Sequence, residues 1–189
     1  MALFLGVDVG SVSANTVIMD EKGELLEEHY TRLRGQPIRT VLEVLGEIFS
    51  RRPQEGFAGI SFTGTGGEIL SRVMRAPFYN EIIAQSKAVE RYYPEAKTII
   101  DIGGEDSKLI LVEEEGGRFR IADFSMNTLC AAGTGSFLDQ QASRLGLSIE
   151  EFGELALRSK NPPRIAGRCS VFAKSDMIHL QQIATPDYD

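Results

Sequence analysis

The sequence has few cysteines and no long apolar run. It contains two cysteines and two histidines among 189 residues. Two cysteines cannot form a disulfide framework, which favours a reducing, cytoplasmic location. No apolar run approaches the ~18–20 residues of a bilayer-spanning helix. Asp8 interrupts the N-terminal apolar run too early for a signal peptide. The sequence therefore predicts neither a membrane segment nor secretion.

Positive charge is also scarce. The 20 Lys and Arg residues stand against 27 Asp and Glu residues, giving a net charge of −7 at pH 7 without a basic run. Nucleic acids and anionic membranes are therefore disfavoured as partners. The 42% hydrophobic and 25% charged residues are typical of a globular protein. The length of 189 residues allows one medium domain or two small ones.

The first half of the chain alternates strand and helix patterns. Apolar or alternating segments separated by turns predict three antiparallel strands, at residues 2–8, 15–20 and 25–34. After Pro37, apolar residues recur at helical spacing and predict a helix over residues 41–49, which Pro53 stops. A strand at residues 57–63 and a helix at about residues 80–93 follow.

The second half repeats this order. Strands are predicted at residues 98–102, 108–112 and 118–124, and helices at residues 134–145, 148–158 and 170–183. The strings Asp8-Val9-Gly10-Ser11 and Asp101-Ile102-Gly103-Gly104 occupy matching positions at the first turn of each half. The duplication predicts an α/β fold of two mixed-sheet subdomains, residues 1–96 and 97–189, whose similar hairpins point into one cleft.

The two Asp-Gly turns suggest phosphate chemistry. A glycine at a hairpin tip lets backbone N–H groups approach an anion, because no Cβ intervenes. An aspartate beside that anion is favourable only with a divalent cation between them, and Mg²⁺ is the usual choice. Ordinary turn chemistry is the alternative for either hairpin alone. Lys108 could neutralise phosphate charge or be a solvated strand residue. The sequence has neither a P-loop nor a Rossmann glycine motif.

Both cysteines are predicted to lie directly before helices. Cys130 precedes the helix at residues 134–145, and Cys169 precedes the helix at residues 170–183. Helix N-termini stabilise a thiolate or an anionic sulfur-ligated centre. Two thiolates cannot complete a four-cysteine site, but a two-fold dimer would supply four. Two unreactive buried thiols, a disulfide and a shared metal centre all remain open from position alone.

Six longer motifs resemble the activators of 2-hydroxyacyl-CoA dehydratases, a family that includes the ATPase subunits of benzoyl-CoA reductase. The motifs are GVDVGSVSANTVIMD, TGTGGEIL, NEIIAQSKA, DIGGEDSKLI, NTLCAAGTGSFLD and CSVFAKSDM. The cysteine motifs are highly specific, whereas the Asp-x-Gly turns alone indicate only the wider actin-like ATPase superfamily. The resemblance implies an actin-like ATPase (ribonuclease H-like) fold with a nucleotide cleft and a second subdomain that is truncated here.

The resemblance also implies an activity and partners. ATP hydrolysis would change the angle between helices that start at a four-iron, four-sulfur cluster shared by a homodimer. A low-potential electron, received from a ferredoxin- or flavodoxin-type donor, would then pass to a dehydratase or reductase component.

Site residues follow from the resemblance by position. Asp8 and Asp101 would hold the Mg²⁺ shell of ATP or ADP. The phosphates would contact the residues of the two turns, namely Gly10, Ser11, Gly103 and Gly104. Gly133 and Gly135 would line the nucleotide cleft. Cys130 and Cys169 would ligate iron.

The chain departs from the family pattern in three respects. Asn15 replaces a lysine, which removes a positive charge near the γ-phosphate. Glu105 replaces a glutamine, and its carboxylate could position or deprotonate the attacking water. Family members also continue beyond this chain's last residue, so we expect it to be the N-terminal part of a longer activator. Two alternatives stay open: a small-molecule kinase of the same superfamily, and a nucleotide-binding module without turnover.

Overall fold

The computed structural model describes residues 2–115, 118–127 and 134–189. Contacts divide the chain into two compact units. The first comprises Met1–Lys97 and Val112–Ile121, and the second comprises Thr98–Leu111 and Ala122–Asp189. The division into domains at residues 96 and 97 stays a prediction.

A four-stranded sheet forms the centre of the first unit, in the order β3-β2-β1-β4. Its strands are β1 (Leu3–Val9), β2 (Ser13–Asp20), β3 (Leu25–Arg32) and β4 (Phe57–Thr63). The first three strands pair antiparallel, and β4 lies parallel to β1. The predicted three-stranded antiparallel arrangement is confirmed.

One face of this sheet packs against helix α1 (Pro37–Arg51), whose buried residues are Val41, Leu45 and Ile48. They join a core to which the strands contribute Leu5, Val7, Val9, Ala14, Ile18 and Phe62. Because successive side chains of a strand point to opposite faces, the burial of Val7 and Val9 leaves Asp8 on the other face. The helix ends at Arg51, two residues before Pro53, as predicted.

Two further helices follow β4. Helix α3 (Glu81–Tyr92) has Asn80 as its N-cap, and the Asn80 side chain accepts a hydrogen bond from the Ile82 N–H at 2.9 Å. The predicted helix at about residues 80–93 is therefore confirmed. Helix α2 (Gly67–Met74) was not predicted. Its first residue, Gly67, closes the glycine-rich string Thr63-Gly64-Thr65-Gly66-Gly67, which by itself is typical of a turn.

A second sheet has the order β5-β6-β7. Its strands are β5 (Thr98–Ile102), β6 (Ser107–Glu115) and β7 (Arg118–Asn127), and β6 and β7 run longer than predicted. The helices of the second unit are α4 (Gly135–Leu145), α5 (Ile149–Ala156) and α6 (Ser170–Gln182), close to the predicted bounds. In the described parts of the chain, no helix combines the length and the apolar character needed to cross a bilayer.

Candidate functional site

The first hairpin places Asp8 at the end of β1, directly across from Asn15 of β2. The side-chain amide of Asn15 donates a hydrogen bond to Oδ2 of Asp8 at 3.2 Å. The Gly10 N–H donates to the Ser13 carbonyl at 2.9 Å and closes the turn, at which Ser11 is exposed. Asp8, Gly10 and Ser11, which we predicted as site residues, therefore lie at one end of this sheet.

The turn at residues 63–67 packs directly against Asp8, and sequence reasoning gave it no role. Gly64 has φ +80°, and a Cβ on it would lie 2.3 Å from Oδ1 of Asp8. The Gly66 N–H donates to the carbonyl of Val9 at 2.8 Å. The string Thr-Gly-Thr-Gly-Gly at residues 63–67 could have indicated this contact, since several glycines in a short segment are typical of a place where the backbone closely approaches another group. The structure shows that the approach is to the Asp8 carboxylate.

Asp8 borders a cavity within the first unit. The cavity has a volume of about 540 Å³, and Asn15, Thr63, Ile83 and Lys87 also line it. In the described part of the chain, the Thr63 hydroxyl is one of the buried polar groups that make no hydrogen bond. Thr63 of β4 pairs with Asp8 of β1, so a carboxylate and a buried hydroxyl belong to neighbouring strands, and both are oxygen ligands of the kind that hard cations and their waters contact.

The second hairpin has the same register. Asp101 at the end of β5 lies directly across from Lys108 of β6. The Lys108 Nζ donates to Oδ2 of Asp101 at 3.1 Å and to Oδ1 of Asp106 at 2.8 Å. The side chain of Lys108 is only 3% exposed. The interpretation of Lys108 as a solvated strand residue is therefore wrong.

The Gly103-Gly104 turn is joined to the start of helix α4. The Gly135 N–H donates to the Gly103 carbonyl at 2.8 Å, and the Ser136 N–H donates to the Gly104 carbonyl at 3.0 Å. A Cβ on Gly135 would lie 3.2 Å from the Gly103 oxygen, so the contact favours glycine. Three predicted site residues, Gly103, Gly104 and Gly135, are thus in contact.

Of the other predicted site residues, some lie in the described part of the chain and some do not. Glu105 is exposed at the turn, between Gly104 and Asp106. Gly133 and Cys130 lie outside the described residues. Neither Gly10 nor Gly103 has a positive φ. At Gly103 the reason for glycine is space, because a Cβ there would lie 2.7 Å from Oδ1 of Asp106.

Cys169 is the N-cap residue of α6, so its predicted place directly before a helix is confirmed. Its thiol is free and half-buried, and its side chain makes no capping hydrogen bond. Asp176 of the same helix accepts a hydrogen bond from the Ala166 N–H at 2.9 Å, which ties down the loop before Cys169. Within residues 2–115, 118–127 and 134–189, no group of three or more His, Cys, Asp or Glu residues could hold a metal ion.

Comparisons with known proteins give one consistent result. The family described as the BadF/BadG/BcrA/BcrD ATPase family matches residues 5–184. The 2-hydroxyisocaproyl-CoA dehydratase activator of Clostridioides difficile is 32% identical over 183 residues, covering 95% of this chain and 66% of that protein. The chain spans about two thirds of the length of the curated relatives that it matches most strongly.

Two solved structures are similar throughout this chain. Component A of the Acidaminococcus fermentans (R)-2-hydroxyglutaryl-CoA dehydratase superposes with a TM-score of 0.84 at 32% identity, covering 100% of this chain and 71% of that one. The Clostridium difficile 2-hydroxyisocaproyl-CoA dehydratase activator with bound ADPNP superposes with a TM-score of 0.80 at 30% identity, covering 98% of this chain and 68% of that one. The predicted fold class, α/β of the actin-like ATPase type, is confirmed.

Proposed function

Since this chain belongs to the BadF/BadG/BcrA/BcrD ATPase family, we propose that it hydrolyses ATP to activate a 2-hydroxyacyl-CoA dehydratase or a related CoA-substrate reductase. ATP and water yield ADP and phosphate. One electron enters from a reduced ferredoxin- or flavodoxin-type donor and leaves to the dehydratase or reductase component. Relatives that carry dehydratase-activator names and a structural relative with bound ADPNP support this proposal.

The duplicated Asp-Gly hairpin is the observation that carries the nucleotide assignment. In both hairpins the aspartate is the last residue but one of the first strand and pairs across the sheet with a polar residue seven positions later. A glycine follows each aspartate by two positions at the tip. Two matching carboxylates beside glycine tips suit a polyphosphate with its divalent cation, since Mg²⁺ is held by one or two carboxylates and by phosphate oxygens.

We assign roles to the hairpin residues accordingly. Asp8 and Asp101 hold the Mg²⁺ shell, and the buried Thr63 hydroxyl beside Asp8 provides a further oxygen for that shell or its waters. The phosphates contact the tips of the two hairpins, listed as Gly10, Ser11, Gly103 and Gly104. Gly135 keeps α4 against the second tip, and Gly133 is assigned to the nucleotide site by its place in the motif. Glu105, which is exposed at the turn, positions the attacking water.

Cys130 and Cys169 are proposed to hold a four-iron, four-sulfur cluster shared by two copies of the chain. Such a cluster, when bound, supplies an electron of low potential. The position of Cys169 at the N-terminus of α6 fits this role, because unpaired N–H groups and the helix dipole stabilise an anionic centre. Two copies supply four thiolates, as the cluster requires.

The hydrogen bonds from α4 to the Gly103-Gly104 turn support a link between nucleotide and cysteines. Cys130 lies five positions before Gly135, whose N–H is bonded to that turn. A displacement of the turn on hydrolysis therefore moves the first residues of α4 as well. This proposal requires two arrangements of the turn, one with ATP and one with ADP.

Iron content and ATPase activity test this function together. After anaerobic reconstitution of the 189-residue chain, we expect about two irons per polypeptide. We expect Cys169→Ser to lose the iron and retain ATP binding, whereas the matched variant Ser175→Ala on the same helix retains both. Absence of iron from a chain that still binds Mg-ATP would contradict the activator and favour a kinase or a module without a cluster. Absence of ATP hydrolysis would contradict the assignment of the chain as an ATPase.

A further inference from the structure

Arg144 joins the last turns of helices α4 and α6 in the second unit. Its Nε donates a hydrogen bond to Oε1 of Gln141 at 3.1 Å, and its Nη1 donates to Oε1 of Gln181 at 2.5 Å. Gln141 lies one turn earlier on α4 and is only 1% exposed, whereas Gln181 lies in the last turn of α6. One guanidinium therefore holds an amide of each helix.

Two further features favour this arrangement. The Nε2 of Gln181 donates to Oδ1 of Asp187 at 3.2 Å, so the carbonyl oxygen of the same amide is directed to Arg144. The C-terminal end of a helix carries partial negative charge, and a cation close to it is stabilising. Arg144 lies in the last turn of α4 and is bonded to the last turn of α6, so its charge suits both helix ends.

The opposite ends of the two helices are bonded to predicted site residues. At the start of α4, the Gly135 N–H donates to the Gly103 carbonyl. At the start of α6, the Cys169 carbonyl accepts a hydrogen bond from the Ala173 N–H at 2.9 Å, and the loop before Cys169 is bonded to the same helix. With 11 and 13 residues, α4 and α6 are roughly 16 and 20 Å long at about 1.5 Å per residue. Helices can carry a displacement along their length as rigid elements.

We propose that Arg144 is a positioning residue that transmits the nucleotide state of the Gly103-Gly104 turn to Cys169. A displacement of the turn moves the start of α4, and α6 follows because Arg144 bonds the two helices at their other ends. The surroundings of Cys169 then change with the nucleotide. The inference rests on the proposed function and extends it, since that function links the turn to Cys130 along the chain and Arg144 links it to the second cysteine.

Alkylation of the Cys169 thiol by iodoacetamide measures this connection without iron or turnover. The sequence has two cysteines, so the parent variant Cys130→Ser leaves Cys169 as the thiol that reacts. Its rate is measured on the 189-residue chain without a cluster, in Mg-ADP and in Mg-ADPNP, the nucleotide bound in a structural relative. We expect the two rates to differ about fivefold in the parent. Arg144→Met should bring their ratio to about one while both nucleotides still bind.

Three further variants separate transmission from a loss of charge. Gln181→Met removes the acceptor on α6 and should lower the ratio as Arg144→Met does, and the double variant should lose nothing more. Arg144→Lys keeps the charge without the planar fork and should restore part of the ratio. Arg158→Met removes an exposed arginine of the same unit and is the matched control, which should keep the ratio of the parent.

A merely structural role for Arg144 predicts a lower melting temperature with an unchanged ratio, and that result would overturn the proposal. Equal rates with the two nucleotides in the parent would overturn it as well, while iron content and ATPase activity still test the proposed function separately. If Arg144→Met does not fold or does not bind nucleotide, the ratio in Gln181→Met decides in its place. If the parent binds neither nucleotide, the proposed function fails and the inference fails with it.

Discussion

Substitution of Gly64 by alanine gives a sharp test of how the first site is built. The added Cβ would lie 2.3 Å from Oδ1 of Asp8 and 2.6 Å from the carbonyl oxygen of Val9. Neither contact is possible, so the carboxylate, the turn or both must move. We therefore expect Gly64→Ala to lose cation binding as well as stability.

Two contributions set the size of the stability effect. A residue with a side chain at φ +80° costs about 1–2 kcal/mol relative to glycine. Overpacking of a close contact adds about 1–3 kcal/mol. The free energy of unfolding should therefore fall by about 2–5 kcal/mol, a large part of the ~5–15 kcal/mol of a typical domain.

Gly35→Ala is the matched control for the backbone contribution. Gly35 has φ +75°, and a Cβ on it meets no atom within 4 Å. Urea unfolding followed by circular dichroism should show a loss of only about 1–2 kcal/mol for this control. Binding of Mn²⁺ to the nucleotide-free chain, measured by electron paramagnetic resonance with Mn²⁺ standing in for Mg²⁺, should be unchanged in it and lost in Gly64→Ala. Equal destabilisation by the two variants, with Mn²⁺ binding kept in both, would refute the argument.

Three further predictions concern single side chains. Glu105→Gln should keep or raise the ATPase rate, because it removes a negative charge beside the phosphates; a hundredfold loss in a steady-state assay would contradict this. The hydrogen bond from Arg52, more than any other contact, lowers the pKa of Glu27 below its ordinary value of 4.5. Stability from this group is therefore present above that pH and lost as the pH falls. Urea unfolding should show that Glu27→Gln costs about 1 kcal/mol at pH 7 and progressively less as the pH falls below 4.5, and that Glu28→Gln has little effect. Asn80→Ala removes an N-cap and should cost about 1 kcal/mol in the same assay, and no change would argue against the cap.

Local patterns predicted most of the strands and helices because alternation and helical spacing are properties of short segments. The hairpins of Asp8 and Asp101 follow from an apolar strand, a glycine turn and a second strand, all within about twenty residues. Their register then places Asn15 and Lys108 across from the aspartates. The equal spacing of seven residues was visible in the sequence. It predicts a cross-strand pair only when the residues that form each turn are known.

Contacts between distant segments could not be predicted in this way. Gly64 is 56 positions from Asp8, and only the parallel pairing of β4 with β1 brings the two together. The burial of Lys108 likewise depends on the packing around its strand, since a lysine in a strand is usually exposed. Helix α2 begins at the last glycine of the string at residues 63–67, where residues typical of a turn hide the start of the helix.

Two hydrogen bonds between main-chain atoms join the Gly103-Gly104 turn to α4, with the Gly135 and Ser136 N–H groups donating to the two carbonyls. Replacement of the Ser136 side chain therefore leaves its bond in place. Alanine at position 136 would therefore leave the Ser136 bond undetected, although that bond joins the second hairpin to the helix that follows Cys130. Proline at position 136 removes the donor, as does an ester in place of the amide. Removing this hydrogen bond therefore requires a change to the backbone itself and not to a side chain.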